Sequence, residues 1–501
     1  MIRPRLLSFL AYAVVAAFAG AADAQRPNVL LICVDDLKPV LGCYGDTMVK
    51  SPAIDRLAAR GMVFERAYCN QAVCSPSRNA LMTGLRSTTL GIYDLPTNFR
   101  VAAPDAVTVA QYFRRHGWRT EGLGKIFHTG HGNHDDAASW TVPHWRPTGG
   151  GNYARPENRA GATPPRTPPV EIADVPDSAY TDGQIADEAI RRLRSATGKA
   201  SEPFFLAVGF LKPHLPFCAP KKYWDLYDRS TFQLPTVTTP PEGAPAYAPT
   251  TWGELRKYSD MPQVGPLNAA QQRELIHGYH AAVSYMDAQL GRVTGELDRL
   301  GLAENTIIVL WGDHGWHLGD HGQWCKHTNY EEAARIPILV VAPGVTRPGT
   351  RTNALIESVD LHPTLAELAG LPALAGAQRL DGRSFAATLR DPQVPTKEAV
   401  FHSYPRTRPG TGAVIGRAVR TARHRLVEWK APGAAATTAE LELYDYVADP
   451  METKNLAAAQ PDVVARLRRL LDAQPEAKPQ VLAAASPATG KTTKAAKKKK
   501  T

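Results

Sequence analysis

Short, largely apolar runs recur along the chain, and each gives way abruptly to charged or imidazole side chains. NVLLICV (Asn28 to Val34) runs into Asp35-Asp36, and WRTEGLG (Trp118 to Gly124) runs into Lys125 and His128. FFLAVGF (Phe204 to Phe210) is followed by Lys212 and His214, and TIIVLW (Thr306 to Trp311) by Asp313-His314. A further run, IPILVVAP, starts at Ile336. Apolar runs that do not alternate predict strands buried on both faces, as in a parallel sheet. Between them lie helical patterns. SPAIDRLAARG has Ser51 as its N-cap, Pro52 in its first turn and Gly61 as its stop. TVAQYFRRHG ends in the same way at Gly117. TDGQIADEAIRRLRSATG and QQRELIHGYHAAVSYMDAQLGRVTGELDRLG are amphipathic. The alternation predicts an α/β fold, a doubly wound and mainly parallel sheet with helices on both faces. Such sheets bind ligands beyond the carboxyl ends of their strands. Four predicted strands deliver carboxylates, lysines and histidines to that one edge.

Two stretches rich in Pro and Gly, Arg146 to Pro169 and Leu234 to Pro249, read as long loops over that edge or a flank. After about residue 410 the pattern changes. GRAVRTARHRLVEWK and TAELELYDY read as antiparallel strands, and Pro461 to Ala473 as a closing helix. The predicted organisation is a leader over residues 1–24, a catalytic domain over 25–410, a small C-terminal α+β subdomain over 411–476 and a disordered lysine-rich tail over 477–501. The leader reading rests on Arg3 and Arg5, the apolar stretch Leu6 to Ala19 and the small-residue site Ala22-Asp23-Ala24. It implies export, to the periplasm or outside the cell. No later apolar run is long enough to span a bilayer, so no stable membrane insertion is expected.

The chain has 501 residues and a formal net charge of +10. Six lysines of the tail, Lys491, Lys494 and Lys497 to Lys500, account for most of that charge. With the leader also set aside the remainder carries only +3. The basicity therefore gives no nucleic-acid-binding face, although the tail would be attracted loosely to anionic polymers. The six cysteines, Cys33, Cys43, Cys69, Cys74, Cys218 and Cys325, show neither framework spacing nor a CxxC pair. A zinc-thiolate site has no support; a Cys69–Cys74 disulfide is the one pairing the spacing leaves open.

Asp35, Asp36 and Asp313 offer oxygens suited to a hard divalent cation, calcium or magnesium, and His314 adds a nitrogen. Arg78, Lys125, His128, His214 and Lys326 supply cationic groups at the same edge. Positive groups around a metal suit a tetrahedral oxyanion such as sulfate or phosphate. Cys74 precedes Ser75-Pro76 and so lies near a helix N-terminus, where anions are favoured and thiols are acidified. A thiolate is nonetheless a poor nucleophile for a sulfate ester and a soft ligand for a hard cation.

Cys74-Ser-Pro-Ser-Arg78, followed by ALMTG, resembles the signature of the type I, formylglycine-dependent sulfatases. VDDLKPVLGCYGD, GKIFHTG, LKPHLPF, WGDHGWHLGDHGQWCKHTNYEEAARIPILV, ESVDLHPTLAELAG and ELYDYVADPMETKNLA extend the likeness over nearly the whole mature chain, toward the iduronate-2-sulfatase branch. The resemblance implies an alkaline-phosphatase-like fold and a Cys74 converted to Cα-formylglycine by a maturation enzyme. It implies a calcium ion, in preference to magnesium, held by Asp35, Asp36, residue 74, Asp313 and His314, with the histidine pointing to this branch. It assigns Arg78 and Lys125 to the formylglycine oxygens, His128 to the hydrated aldehyde and its breakdown, and His214 and Lys326 to the sulfate and the leaving oxygen. The implied activity is hydrolysis of a sulfate ester on a sulfated saccharide, within polysaccharide degradation. Arg146, Arg155 and Arg159 are candidates to recognise a substrate carboxylate. Two other readings remain open at this point: a phosphodiesterase or phosphonate monoester hydrolase of the same superfamily, and a non-catalytic binder of sulfated glycans.

Overall fold

The structure, a computed structural model, describes residues 26–148, 151–159, 167–197 and 202–482. The leader, nearly all of the lysine-rich tail and parts of the Arg146–Pro169 loop lie outside the described residues. In chain order the first strands are β1 (Asn28–Val34), β2 (Met62–Tyr68), β3 (Arg119–Gly124), β4 (Val142–Trp145) and β5 (Val170–Ala173). There follow β6 (Phe204–Phe210), β7 (Phe217–Pro220), β8 (Thr306–Gly312), β9 (Ile338–Val341) and β10 (Thr350–Glu357). Eight of these form one sheet in the order β10-β2-β9-β8-β1-β6-β3-β4. Neighbours are parallel except at β9, which runs antiparallel to both β2 and β8. The sheet is thus mainly parallel, as the apolar runs predict, with one reversed strand.

β1 shows why its sequence is apolar at every position. Leu30, Ile32 and Val34 enter one core with helices Pro52–Arg60, Thr181–Ala196 and Ala269–Arg299. Val29, Leu31 and Cys33 enter the other, with helices Cys74–Thr83, Val109–Arg115 and Leu361–Leu368. Alternate side chains point to opposite faces, and here both faces are covered.

The four runs that end in chemically active residues are four adjacent strands, β8-β1-β6-β3. Their ends are flush: Val34 pairs with Gly312 on one side and Phe210 on the other, and Gly124 pairs with Gly209. The Gly124–Gly209 pair is sterically required. A Cβ on Gly209 would lie 2.2 Å from the Lys125 carbonyl oxygen, and Gly124 has φ +71°.

A second sheet of four antiparallel strands, β11 (Ala399–Arg408), β12 (Gly412–Thr421), β13 (His424–Lys430) and β14 (Glu440–Asp445), packs beside the main one. Helix Pro461–Asp472 covers it through Val464, Leu467 and Leu471. The division expected at 410/411 falls in the turn between β11 and β12, so the C-terminal sheet begins at Ala399. The first residues of the expected tail, 477–482, are among those described. Lys478 N donates to Thr88 O at 3.0 Å, Val481 N donates to Gly91 O at 2.7 Å, and Ala477 is buried. All six cysteines are free, so the Cys69–Cys74 disulfide is not formed. No helix among the described residues is long and apolar enough to cross a membrane.

Candidate active site

Cys74 opens the buried helix Cys74–Thr83, whose N-cap residue, Val73, offers no side-chain cap. The helix points its first turn at the flush tips of β8, β1, β6 and β3. Arg78, one turn on, is fully buried and joins three of these tips. Its guanidinium donates to Asp35 Oδ1 at 3.0 Å and to Asp313 Oδ2 at 3.0 Å. It also donates to the Lys125 carbonyl. Lys125 Nζ in turn pairs with Asp35 Oδ2 and approaches Cys74 Sγ at 3.7 Å.

Asp36 takes the left-handed conformation, φ 58°, which is strained for an aspartate. Two bonds hold it there: Asp36 N donates to Asp313 Oδ1 at 2.9 Å, and Tyr279 Oη donates to Asp36 O at 2.8 Å. Its carboxylate accepts Lys326 Nζ at 3.0 Å and lies 3.3 Å from His314 Nε2. His314 Nε2 is also 3.5 Å from Cys74 Sγ and 3.5 Å from Asp313 Oδ1. Asp35, Asp36, Cys74 and His214 bring ligand atoms within 4.8 Å of one another, and so do Asp35, Cys74, Asp313 and His314.

Burial sets the electrostatics. It pushes Asp313 up to about 8, against the pull of His314 and Arg78. Asp36 is raised for the same reason despite His214 and Lys326. At Asp35 the cost of burial is outweighed by Lys125 and Arg78, and the carboxyl stays below the ordinary range. Burial would lower His314, but Asp313 and Asp36 carry it up to about 9. Burial would raise the Cys74 thiol, but Lys125 and Lys326, with His128 and His214 alongside, hold it well below the ordinary value. Two of the three carboxylates are therefore held by burial toward their neutral form and gain most from a further positive charge. Three carboxylates and one imidazole converging without bulk water fit a hard divalent cation, and oxygens in place of the sulfur at position 74 would complete a donor set of that kind.

His214 and Lys326 meet on a residue that no sequence motif marks, Glu254. Its Oε1 lies 3.3 Å from His214 Nε2, and its Oε2 lies 3.2 Å from Lys326 Nζ. Burial would raise Glu254, but Lys326 and His214 hold it at about 2. His128 lies on the Cys74 side of the centre, with Nε2 3.2 Å from His131 Nδ1 and its own Nδ1 buried without a hydrogen-bond partner among the described residues. Asp35, Lys125, His128 and His214 form the floor of a cleft of about 630 Å³. Every residue singled out from the sequence for metal, nucleophile or sulfate thus lies at this centre or on that floor. Of the three candidate arginines, only Arg146 lines the cleft. Arg155 donates to Ile172 O at 2.6 Å and Arg159 to Tyr153 O at 2.8 Å.

The sulfatase family profile matches residues 27–371, and the profile of the N-sulphoglucosamine sulphohydrolase C-terminal region matches 319–476. Iduronate 2-sulfatase of Mus musculus is 39% identical over 404 residues, 73% of each chain. The Homo sapiens protein is 39% identical over 69% of each chain. A sulfatase of Formosa agariphila is 30% identical over 87% of this chain and 84% of its own. Among solved structures, BT4656 in complex with its substrate D-glucosamine-2-N,6-O-disulfate superposes with a TM-score of 0.71 at 21% identity, over 89% of this chain and 97% of its own. The phosphonate monoester hydrolase of Silicibacter pomeroyi also reaches 0.71, at 23% identity, over 89% and 95%. At those identities the two structures establish the alkaline-phosphatase-like fold, while the 39% relatives place the sequence within it. The chain belongs to the sulfatase family, on its iduronate-2-sulfatase-like side, and is a sulfuric ester hydrolase.

Proposed function

We propose that this enzyme removes a sulfate ester from a sulfated saccharide of the iduronate-2-sulfate kind. It does so with a formylglycine made from Cys74 by a maturation enzyme and with a calcium ion held by Asp35, Asp36, Asp313 and His314. The observation that carries the reading is the convergence of those four ligands, Arg78, Lys125 and Lys326 on Cys74, a buried cysteine with no disulfide partner. Iduronate 2-sulfatases are the relatives that match at 39% identity, and they supply the substrate class. Export to the periplasm or beyond follows from the leader reading of residues 1–24.

In this proposal a bound calcium ion supplies positive charge to the sulfate and to the side chain of residue 74. A hydrated formylglycine supplies the attacking hydroxyl. The chain's own residues do the rest. Lys125 orients residue 74 from one side, while Arg78 fixes Asp35, Asp313 and the Lys125 backbone. Lys326 holds a sulfate oxygen. His214, steadied by Glu254, stands where it can protonate the leaving sugar oxygen. His128, with an unpartnered buried nitrogen, takes the proton released when sulfate departs.

Mass spectrometry of the peptide spanning Cys74 and a desulfation screen on defined heparan, dermatan and algal disaccharides test the proposal together. An aldehyde at position 74 and release of sulfate from a 2-sulfated uronate are expected, with activity lost on chelation and restored by calcium. An intact thiol in active protein would sink the formylglycine mechanism. Two phosphonate monoester hydrolases share the fold; preference for a phosphonate monoester or phosphate diester over an aryl sulfate would favour that reading instead.

A further inference from the structure

The catalytic reading leaves part of the cleft lining without a role. That part includes two long cationic side chains, Lys212 and Arg146, and the neutral Asn152 and Thr181. Lys212 brings no charge into the cleft. Its ammonium donates to the carbonyls of His214 and Pro216, each at 2.7 Å, and is 3% exposed as a residue. Arg146 differs in every respect. Its side chain is 40% exposed, and the nearest carboxylate among the described residues, Asp135 Oδ1, is 4.0 Å away. That oxygen already pairs with His144 Nδ1 at 2.8 Å. The one hydrogen bond of the Arg146 guanidinium among the described residues is a long 3.5 Å contact to the same His144 nitrogen. Burial lowers Arg146 from the ordinary guanidinium value, and Asp135 compensates only in part. A partly desolvated guanidinium with most of its donor fork unspent is suited to a bidentate oxyanion.

We infer that Arg146 binds a second anionic group of the saccharide, a carboxylate or a further sulfate, carried beside the sulfate that is cleaved. The inference rests on the sulfatase reading of the floor and adds a charge requirement to it. A cleft of about 630 Å³ has room for a sugar ring, and its lining holds Arg146, Asn152 and Thr181 together with Lys125, His128 and His214. Arg146 touches no reacting atom in this arrangement. It selects and positions the substrate, so its loss falls on KM more than on kcat.

The test compares wild type, Arg146→Ala and Arg146→Lys on three substrates. These are an aryl sulfate, a disaccharide with a 2-sulfated uronate and no second sulfate, and its carboxyl-reduced counterpart carrying a second sulfate. For Arg146→Ala, kcat/KM is expected to fall roughly 10- to 100-fold on one or both disaccharides, mainly through KM, and to hold within about two-fold on the aryl sulfate. Arg146→Lys keeps the charge without the fork and falls between. A loss confined to the uronate identifies the carboxylate; a loss confined to the reduced substrate identifies the second sulfate. Equal loss on all three substrates, or no loss on either disaccharide, overturns the inference. Calorimetric titration of wild type and Arg146→Ala with the 2-desulfated forms of both disaccharides repeats the comparison without turnover, and equal affinities for both of them overturn it there. A wild type that cleaves no sulfate ester would strike the sulfatase reading, and the titration would still decide the role of Arg146.

Discussion

Two buried charge clusters in this protein use the same side chains to opposite effect. Under the C-terminal sheet, Glu331 accepts from Arg425 at 2.6 Å and from Arg420 at 3.3 Å, with Tyr68 Oη at 2.8 Å. Burial alone would raise that carboxyl, yet the two arginines hold it at about 2. At the active centre, Asp313 is fully buried, where the Glu331 side chain keeps 17% of its surface exposed; it also faces an arginine, yet burial raises it to about 8. The difference lies in what touches each carboxylate. Glu331 has two arginines, one of them shared with Glu452, whereas Asp313 has only Arg78, shared with Asp35, and the imidazole of His314. A satisfied cluster stabilises the fold. The active centre instead keeps Asp36 and Asp313 desolvated and raised in spite of the cations around them, where a further positive charge would be accommodated.

Substitutions can break or sharpen that contrast. The largest effect is expected at Cys74→Ala, which should lower kcat for any sulfate ester by roughly 10⁴-fold or more while the melting temperature stays close to wild type. Next comes Asp313→Asn. It should lower activity roughly 10²- to 10³-fold. In the same variant, thermal melting of chelator-treated protein should hold or rise, because a raised buried carboxylate has been removed; a large drop would show that Asp313 is structural. Glu331→Gln should do the reverse, with about 3–5 kcal/mol lost in denaturant unfolding, because buried Arg420 loses its carboxylate and buried Arg425 keeps only Glu452. The fraction that remains folded should retain kcat. The sign of the pH effect follows. Glu331 is lowered from 4.5 to about 2, so the stability it contributes is present above about pH 4.5 and lost as pH falls toward 2. Glu331→Gln should flatten that acid limb of the melting curve. The smallest effect is expected at Arg155→Ala, outside the cleft and hydrogen-bonded to Ile172 O, where kcat/KM should change by less than about two-fold on every substrate.

The legible strands were those of the sheet centre. β1, β6 and β8 are buried on both sides, so their sequences are continuous apolar runs. β2, MVFERAY, and β10, TRTNALIE, interrupt their apolar residues with charge near the sheet edge, and no run marks them. The reversal of β9 is invisible to periodicity, because IPILVVAP reads the same in either direction. β11 escaped notice because HSYPRTRP looks like loop, and its place in the sheet comes only from pairing with β12. Glu254 lies in a polar loop with no local pattern. Nothing along the chain relates it to Lys326 or His214, which it meets in space.

The order of residues along the chain determined the chemistry on offer: carboxylates after β1 and β8, cations after β3 and β6, and a cysteine at a helix start. That much is local, because a strand's apolar run and the polar residue that ends it are contiguous. Tertiary structure alone decided which groups meet and how they ionise. Arg78 reaches Asp313 across 235 positions and Lys326 reaches Asp36 across 290, through a sheet order that the sequence does not state. The same aspartate is acidic or nearly neutral according to how much water it loses and how many cations share it, and both depend on long-range packing.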